Sequence, residues 1–185
     1  MRNIAVFAGG CFWCLEKVYS DLDGVVDLKV GYTGGKLKNP TYDKVSSGLS
    51  GHFEAIKFVF EQGIVDYKVL LKLFWLNIDP TDADGQFCDV GNQYRSAIFY
   101  TTDRQKELAF MSKGVLEESN LFEKPITTLI LPFEEFYEAE DYHQRYFEKN
   151  PKLYRQYYEF SGRVCFFNRW RSRIEEVLDK HFLKN

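Results

Sequence analysis

The chain contains no long hydrophobic run. Nowhere does it approach the roughly 18 consecutive apolar residues that a membrane span requires, and the apolar stretch after Met1-Arg2-Asn3 is too short for a secretory leader. A cytoplasmic protein with no membrane contact is therefore expected. One-sided charge is missing as well: 24 Lys and Arg stand against 27 Asp and Glu, a net charge of -3, with a pI near 5.7. That balance excludes the polyelectrolyte character with which a whole chain binds nucleic acid or an anionic surface. Small molecules or peptides are the partners it leaves. Cysteine is scarce: Cys11, Cys14, Cys88 and Cys165 are too few and too unevenly spaced for the disulfide framework of a small secreted domain. Histidine is scarcer, with His52, His143 and His181 scattered along the chain. No internal repeat or low-complexity tract is present.

What the chain has is core and aromatic mass. Hydrophobic residues make up 45% of it, enough for one medium domain, and 17 Phe and 12 Tyr bring the aromatic content to 17%. Tyrosine adds a hydroxyl to an otherwise apolar site. Ile4 to Ala8 reads as a short buried strand, Gly9-Gly10 as a tight turn, and Cys11 to about Leu22 as a helix ending near Gly24. Val25 to Thr33 alternates like a strand, followed by a long polar loop to Gly51, and loops of that length are often functional. "HFEAIKFVFE", His52 to Glu61, has strict period two and places Glu54 on one face with Ile56, Phe58 and Phe60. A helix is expected from Asp66 until Asp79-Pro80 stops it, then a second loop, a strand from Tyr94 to Tyr100, a helix from a capping Asp103 to about Glu118, and a strand over Ile126 to Leu131. Beyond Asn150 the chain turns helical and basic, with eight Lys and Arg against four Asp and Glu, a net of +4. The mixed order predicts an α+β fold: a two-layer sandwich whose sheet is mixed or largely antiparallel, with helices packed on it. Residues 1–150 are read as the catalytic unit and residues 151–185 as a basic helical C-terminal extension packed on the same domain.

"GGCFWCLE", Gly9 to Glu16, carries the chemistry. A thiol in the first turn of a helix sees unpaired N–H groups and the positive end of the helix dipole, which favour thiolate. Cys11 is thus a candidate nucleophile. Cys14 lies one turn on, about 5–6 Å away by helix geometry, a separation that a disulfide can span. Three plainer readings compete: half a zinc site, which lacks a second CxxC and clustered histidines; a thioredoxin-type motif, which normally has Trp before the first Cys and more chain ahead of it; and two small core residues under a helix.

Four blocks in order, "GGCFWCLE", "GYTGGKLKNPTYDKVSSGLSGHFEAI", "FWLNIDPTDADGQFCDVGNQYRSAIFY" and "AEDYHQRYFEKNP", resemble those of the peptide methionine sulfoxide reductase A family across about residues 4 to 151. The resemblance implies an enzyme that returns methionine sulfoxide, the S epimer at sulfur, to methionine in the free amino acid and in proteins. Oxidation makes a flexible apolar side chain polar and chiral, so its reversal is a repair. Cys11 then matches the nucleophile that becomes a sulfenic acid, and Glu54 the acid. Its apolar face gives Glu54 a reason to hold a proton near neutral pH. Tyr42 and Tyr94 match two hydroxyl donors to the sulfoxide oxygen, arranged like an oxyanion hole. Asp89 matches a supporting carboxylate, and Phe12 and Trp13 match the pocket for the substrate's S-methyl group. His143 sits in a block that the family also carries, but a lone helical histidine is more often a packing residue, so it is left outside the catalytic set. Neither metal nor organic cofactor is implied, and electrons are expected from a thioredoxin-type reductant.

The sequence departs from the family after Pro151. Many members place a resolving cysteine in a glycine-rich segment there, whereas "KLYRQYYEFSGRVCFFNRW" has no such run and a single cysteine, Cys165. Cys14, Cys165 and Cys88 are the candidates, and Cys14 is preferred because it needs no tail movement; direct reduction by an external thiol is the other route. Arg169, Arg171 and Arg173 near Trp170 read as a charged helix face rather than a partner site. A monomer is expected. The alternatives to the reductase are a general dithiol-disulfide oxidoreductase using Cys11 and Cys14, and a binding module that uses the aromatic pocket without turnover.

Overall fold

The fold is taken from a computed structural model, which describes residues 2–184. Strand β1 (Arg2–Ala8) leads into α1 (Phe12–Ser20), and β2 (Val25–Thr33) is followed by the short α2 (Tyr42–Ser46). Next come β3 (Phe53–Glu61) and α3 (Tyr67–Trp75), then a two-stranded hairpin of β4 (Gly85–Gln86) and β5 (Asp89–Val90), and a 3-10 turn at Asn92–Tyr94. The chain continues through β6 (Ala97–Tyr100), α4 (Asp103–Glu118), β7 (Leu129–Pro132) and β8 (Phe136–Glu138). Three helices end it: α5 (Tyr146–Lys149), α6 (Pro151–Phe160) and α7 (Arg163–His181).

The main sheet runs β7-β6-β1-β3-β2-β8. Its ladders are antiparallel except β6 with β7, which are joined by α4, the crossover helix that a parallel pair needs. Period two in β3 decides the layering. Ile56, Phe58 and Phe60 join Ala5 and Phe7 in the main core, which Phe12, Leu15 and Tyr19 of α1, Leu70 and Phe74 of α3, and Leu108 of α4 cover. Phe53 and Ala55, on the opposite face, pack with Val6, Ala8, Ala97 and Phe99 against Leu129, Leu131, Phe133 and Phe136. The helices thus cover the face that carries Glu54, as the alternation of "HFEAIKFVFE" predicts, and the α+β architecture is as expected.

The C-terminal helix enters this same core. Ile174, Leu178 and Phe182 are at most 1% exposed and sit in the main cluster. Local details differ from the sequence expectation at element starts, β7 among them, which begins at Leu129 rather than Ile126. Thr102, not Asp103, caps α4, accepting the Gln105 N–H at 3.2 Å, because the Ncap residue must be extended and Thr102 is. Tyr94 lies in the 3-10 turn rather than the strand, which starts at Ala97.

Candidate active site

Helix α1 begins at Cys11, whose carbonyl accepts the Cys14 N–H at 3.1 Å. The Cys11 side chain makes no cap hydrogen bond, so the first-turn N–H groups look elsewhere for partners. Phe12 N–H finds Glu54, donating to its Oε2 at 3.2 Å. A carboxyl reaching across from β3 therefore fixes the helix start beside the thiol. The turn that delivers Cys11 needs Gly10: its φ is +81°, and a Cβ there would lie 2.6 Å from Gln86 Cβ and 2.9 Å from Arg163 Nη2.

Cys11, Phe12, Trp13, Tyr42, Glu54, Asp89 and Tyr94 all line one cavity of about 150 Å³, so the predicted site residues other than Cys14 converge on it. Tyr157 of α6 completes the wall. A larger cleft of about 760 Å³ opens beside Gly34, Phe99 and Leu131 and has no thiol in its lining. Tyr42 is held by Glu140, which accepts the Tyr42 N–H at 2.9 Å and the Tyr32 hydroxyl at 2.8 Å. Behind the cavity, Trp13 stacks on Tyr146 with centroids 3.8 Å apart. His143, 2% exposed, packs against Phe12 at 5.1 Å and Tyr42 at 4.5 Å, and burial lowers its pKa so that the ring is neutral.

Two residues at the site were not anticipated, and both come from the basic extension. The Tyr157 hydroxyl donates to Asp89 Oδ2. Arg163, 1% exposed, donates from Nη1 to the Tyr157 hydroxyl at 3.2 Å and lies 3.7 Å from Asp89 Oδ2. Its guanidinium also stands 4.7 Å from the centre of the Phe87 ring, an attractive cation–π arrangement. Nothing in the composition separates Arg163 from the other arginines of the tail.

Charge is distributed around these groups. Burial holds Glu54 well above the ordinary carboxyl range, the negative charge of Cys11 adds to this, and the Phe12 N–H only partly offsets it. Glu54 is therefore a protonated acid near neutral pH, in the direction its apolar face predicts. Cys11 behaves differently from a simple helix-terminal thiol: burial pushes it well above its usual value, and its hydrogen bond with Cys14 raises it further. Burial acts on Cys14 in the same sense, but the hydrogen bond from Cys11 and the positive charge of Arg163 outweigh it and lower that thiol. The hydrogen bond between them couples the two sulfurs, and the positive charge of Arg163 favours a thiolate on the pair. Burial also raises Tyr42 and Tyr94, so both stay hydroxyl donors.

Cys14 is buried and adjoins Cys11 without lining the cavity. Cys88 and Cys165 are exposed, and Cys88 Sγ is 3.9 Å from Asp89 Oδ1. Among the described residues no group of three or more His, Cys, Asp or Glu side chains could hold a metal ion, and no helix is long and apolar enough to cross a membrane.

Comparisons with known proteins point one way. A family model described as peptide methionine sulfoxide reductase matches residues 3–173. A Bacillus velezensis protein named peptide methionine sulfoxide reductase MsrA is 51% identical over 173 residues, covering 93% of this chain and 98% of that relative. The crystal structure of Mxr1 from Saccharomyces cerevisiae in reduced form is similar with a TM-score of 0.74 and 33% identity, over 82% of this chain and 87% of that one. Mxr1 in complex with Trx2 is similar with a TM-score of 0.53 and 25% identity, over 78% of this chain and 84% of that one.

Proposed function

Because the chain belongs to the peptide methionine sulfoxide reductase family and is an oxidoreductase of that kind, we propose that Cys11 is its nucleophile, Glu54 its acid and Cys14 its resolving thiol. The observation that carries this is the convergence of Cys11, a buried Glu54 and two tyrosine side chains on one small cavity, where burial favours the protonated form of Glu54. A sulfoxide sulfur is a poor electrophile until its oxygen is protonated or strongly hydrogen-bonded, so thiolate, acid and donors must meet at one place.

The S-methyl group of methionine sulfoxide, free or in a peptide, rests against Phe12 and Trp13, with its oxygen towards Tyr42, Tyr94 and Glu54. Cys11 gives its proton to Cys14 and attacks the sulfoxide sulfur. Oxygen moves to Cys11 as the sulfur–oxygen bond of the substrate breaks and Glu54 supplies the proton, leaving methionine, a Cys11 sulfenic acid and a Glu54 carboxylate. Cys14 then attacks the sulfenic sulfur, water leaves, and a Cys11–Cys14 disulfide remains for a thioredoxin-type dithiol to reduce. The Mxr1–Trx2 complex supports that class of reductant. Asp89 acts through Tyr157 and Arg163, holding the cation near both thiols. The S epimer is the substrate, and the protein works as a cytoplasmic monomer in which residues 151–185 complete the unit built by residues 1–150.

The test is a single turnover of pre-reduced protein with separated S and R epimers of a methionine sulfoxide peptide, without added reductant. Methionine from the S epimer alone, with Cys11 joined to Cys14 by peptide mass, is expected. No methionine from either epimer would sink the reading and favour a general dithiol-disulfide oxidoreductase or a binding module.

A further inference from the structure

Cys11 and Cys14 open onto different surfaces. Cys11 faces the 150 Å³ cavity, whereas Cys14 lines a separate groove of about 390 Å³ on the other side of α6. Helix α6 serves both: Tyr157 walls the cavity, while Tyr154 and Tyr158 wall the groove together with Val18, Phe147 and Pro151. No residue of α6 is fully buried. Two of its apolar side chains are exposed instead, Leu153 at 57% and Phe160 at 85%.

We propose that this groove receives the protein reductant, so that oxidant and reductant approach the thiol pair from opposite sides of α6. The inference rests on the reading of Cys14 as the resolving thiol. The occupant follows from the chemistry of the wall: a sulfur that emerges from each turnover in a disulfide needs an incoming thiolate, and the substrate cavity is too small for a protein loop. Charge narrows it further. Arg155 lines the groove with Glu159 and with Lys17, which is paired with Asp21 at 2.5 Å, and residues 151–185 carry a net +4 on a chain of net -3. The partner is accordingly a dithiol protein whose nucleophilic cysteine sits on a loop with apolar flanks and an acidic surround.

The reductant's thiolate attacks Cys14 Sγ, forming a mixed disulfide as the Cys14–Cys11 bond breaks and Cys11 leaves as thiolate. The reductant's second thiol then attacks its own first sulfur, closing its internal disulfide and releasing Cys14 with a proton. Both electrons pass to the Cys11–Cys14 pair, and the reductant is oxidised. Attack from the groove meets Cys14 first and leaves the substrate cavity undisturbed.

The test uses the full chain with Arg155→Glu, Leu153→Glu and the two combined, all at exposed positions outside the catalytic machinery. With thioredoxin as the probe, the KM for thioredoxin should rise about tenfold or more in the double variant, while single-turnover methionine formation and dithiothreitol-driven turnover stay at the unmodified rates. A thioredoxin lacking its second cysteine should be trapped on Cys14. An unchanged thioredoxin KM, or a mixed disulfide on Cys11, would overturn the groove while leaving a mapped Cys11–Cys14 disulfide intact. A single-turnover disulfide through Cys88 or Cys165 would instead overturn the resolving role, and the groove with it.

Discussion

Glu54 does two jobs with two oxygens. One accepts the Phe12 N–H and sets the start of α1, and the carboxyl keeps its proton because burial raises its pKa. Glu54→Gln retains an acceptor and loses the acid, so the single-turnover rate should fall by about 10²–10⁴-fold with little change in sulfoxide affinity. The wild-type reduction step should slow as pH rises through the raised pKa of Glu54, and the Gln variant should lack that limb; equal profiles would remove Glu54 as the acid. Arg163 is the second residue to test. Arg163→Met leaves Asp89 and the shared thiolate without their buried cation, and loss of one member of a buried charged group costs about 3–5 kcal/mol. Thiolate absorbance should titrate at higher pH in this variant, with partial recovery in Arg163→Lys, which keeps the charge and loses the fork. A melting-temperature loss with no shift in the thiolate titration would make the role of Arg163 structural only. That Cys11 and Glu54 would meet at one cavity was legible in the sequence since each sits in a distinctive block, whereas Arg163 was not, because its partners are far away in sequence and lie in other elements.

At the scale of elements, α1 carries a further ionisation that the chemistry does not use. Glu16 is buried, its Oε1 accepts the Arg145 N–H at 2.7 Å, and burial raises its pKa to about 7 against contacts that lower it. The folded state therefore holds this proton after the unfolded chain has released it. Stability is unaffected below the unfolded value of 4.5, declines as pH rises from there to about 7, and levels off above. Melting curves should show that decline flattened in Glu16→Gln; a pH dependence identical to wild type would contradict it. Long elements with a clear period were readable: β3 by its alternation, α3 by an Asp66 cap that accepts the Lys68 N–H at 2.8 Å. The short ones were not. The five residues of α2, the three of β8 and the hairpin of two-residue strands are too brief for any period to show. They are held by distant side chains, as when Glu140 accepts the Tyr42 N–H at the start of α2.

For the whole molecule, the basic extension is part of the core. Leu178 and Phe182 are fully buried among residues of α3 and α4, so Leu178→Ala should cost about 2–5 kcal/mol. Calorimetry should find one transition whose van't Hoff and calorimetric enthalpies agree; two separable transitions would divide the chain near residue 150. Composition marked the tail as helical and basic, but only its packing reveals that three of its apolar side chains fill the main core and that one of its arginines reaches Tyr157 and Asp89 at the site. The position of that arginine also imposes an order in time. Arg163 lies 149 residues after Cys14, so during synthesis both cysteines leave the ribosome long before their cation exists. Until the tail docks they have the ordinary thiol pKa of about 8.5 and remain mostly protonated, which makes them poor targets for oxidants. The finished chain brings a cation to Cys14 and lowers that thiol, and an interrupted one does not.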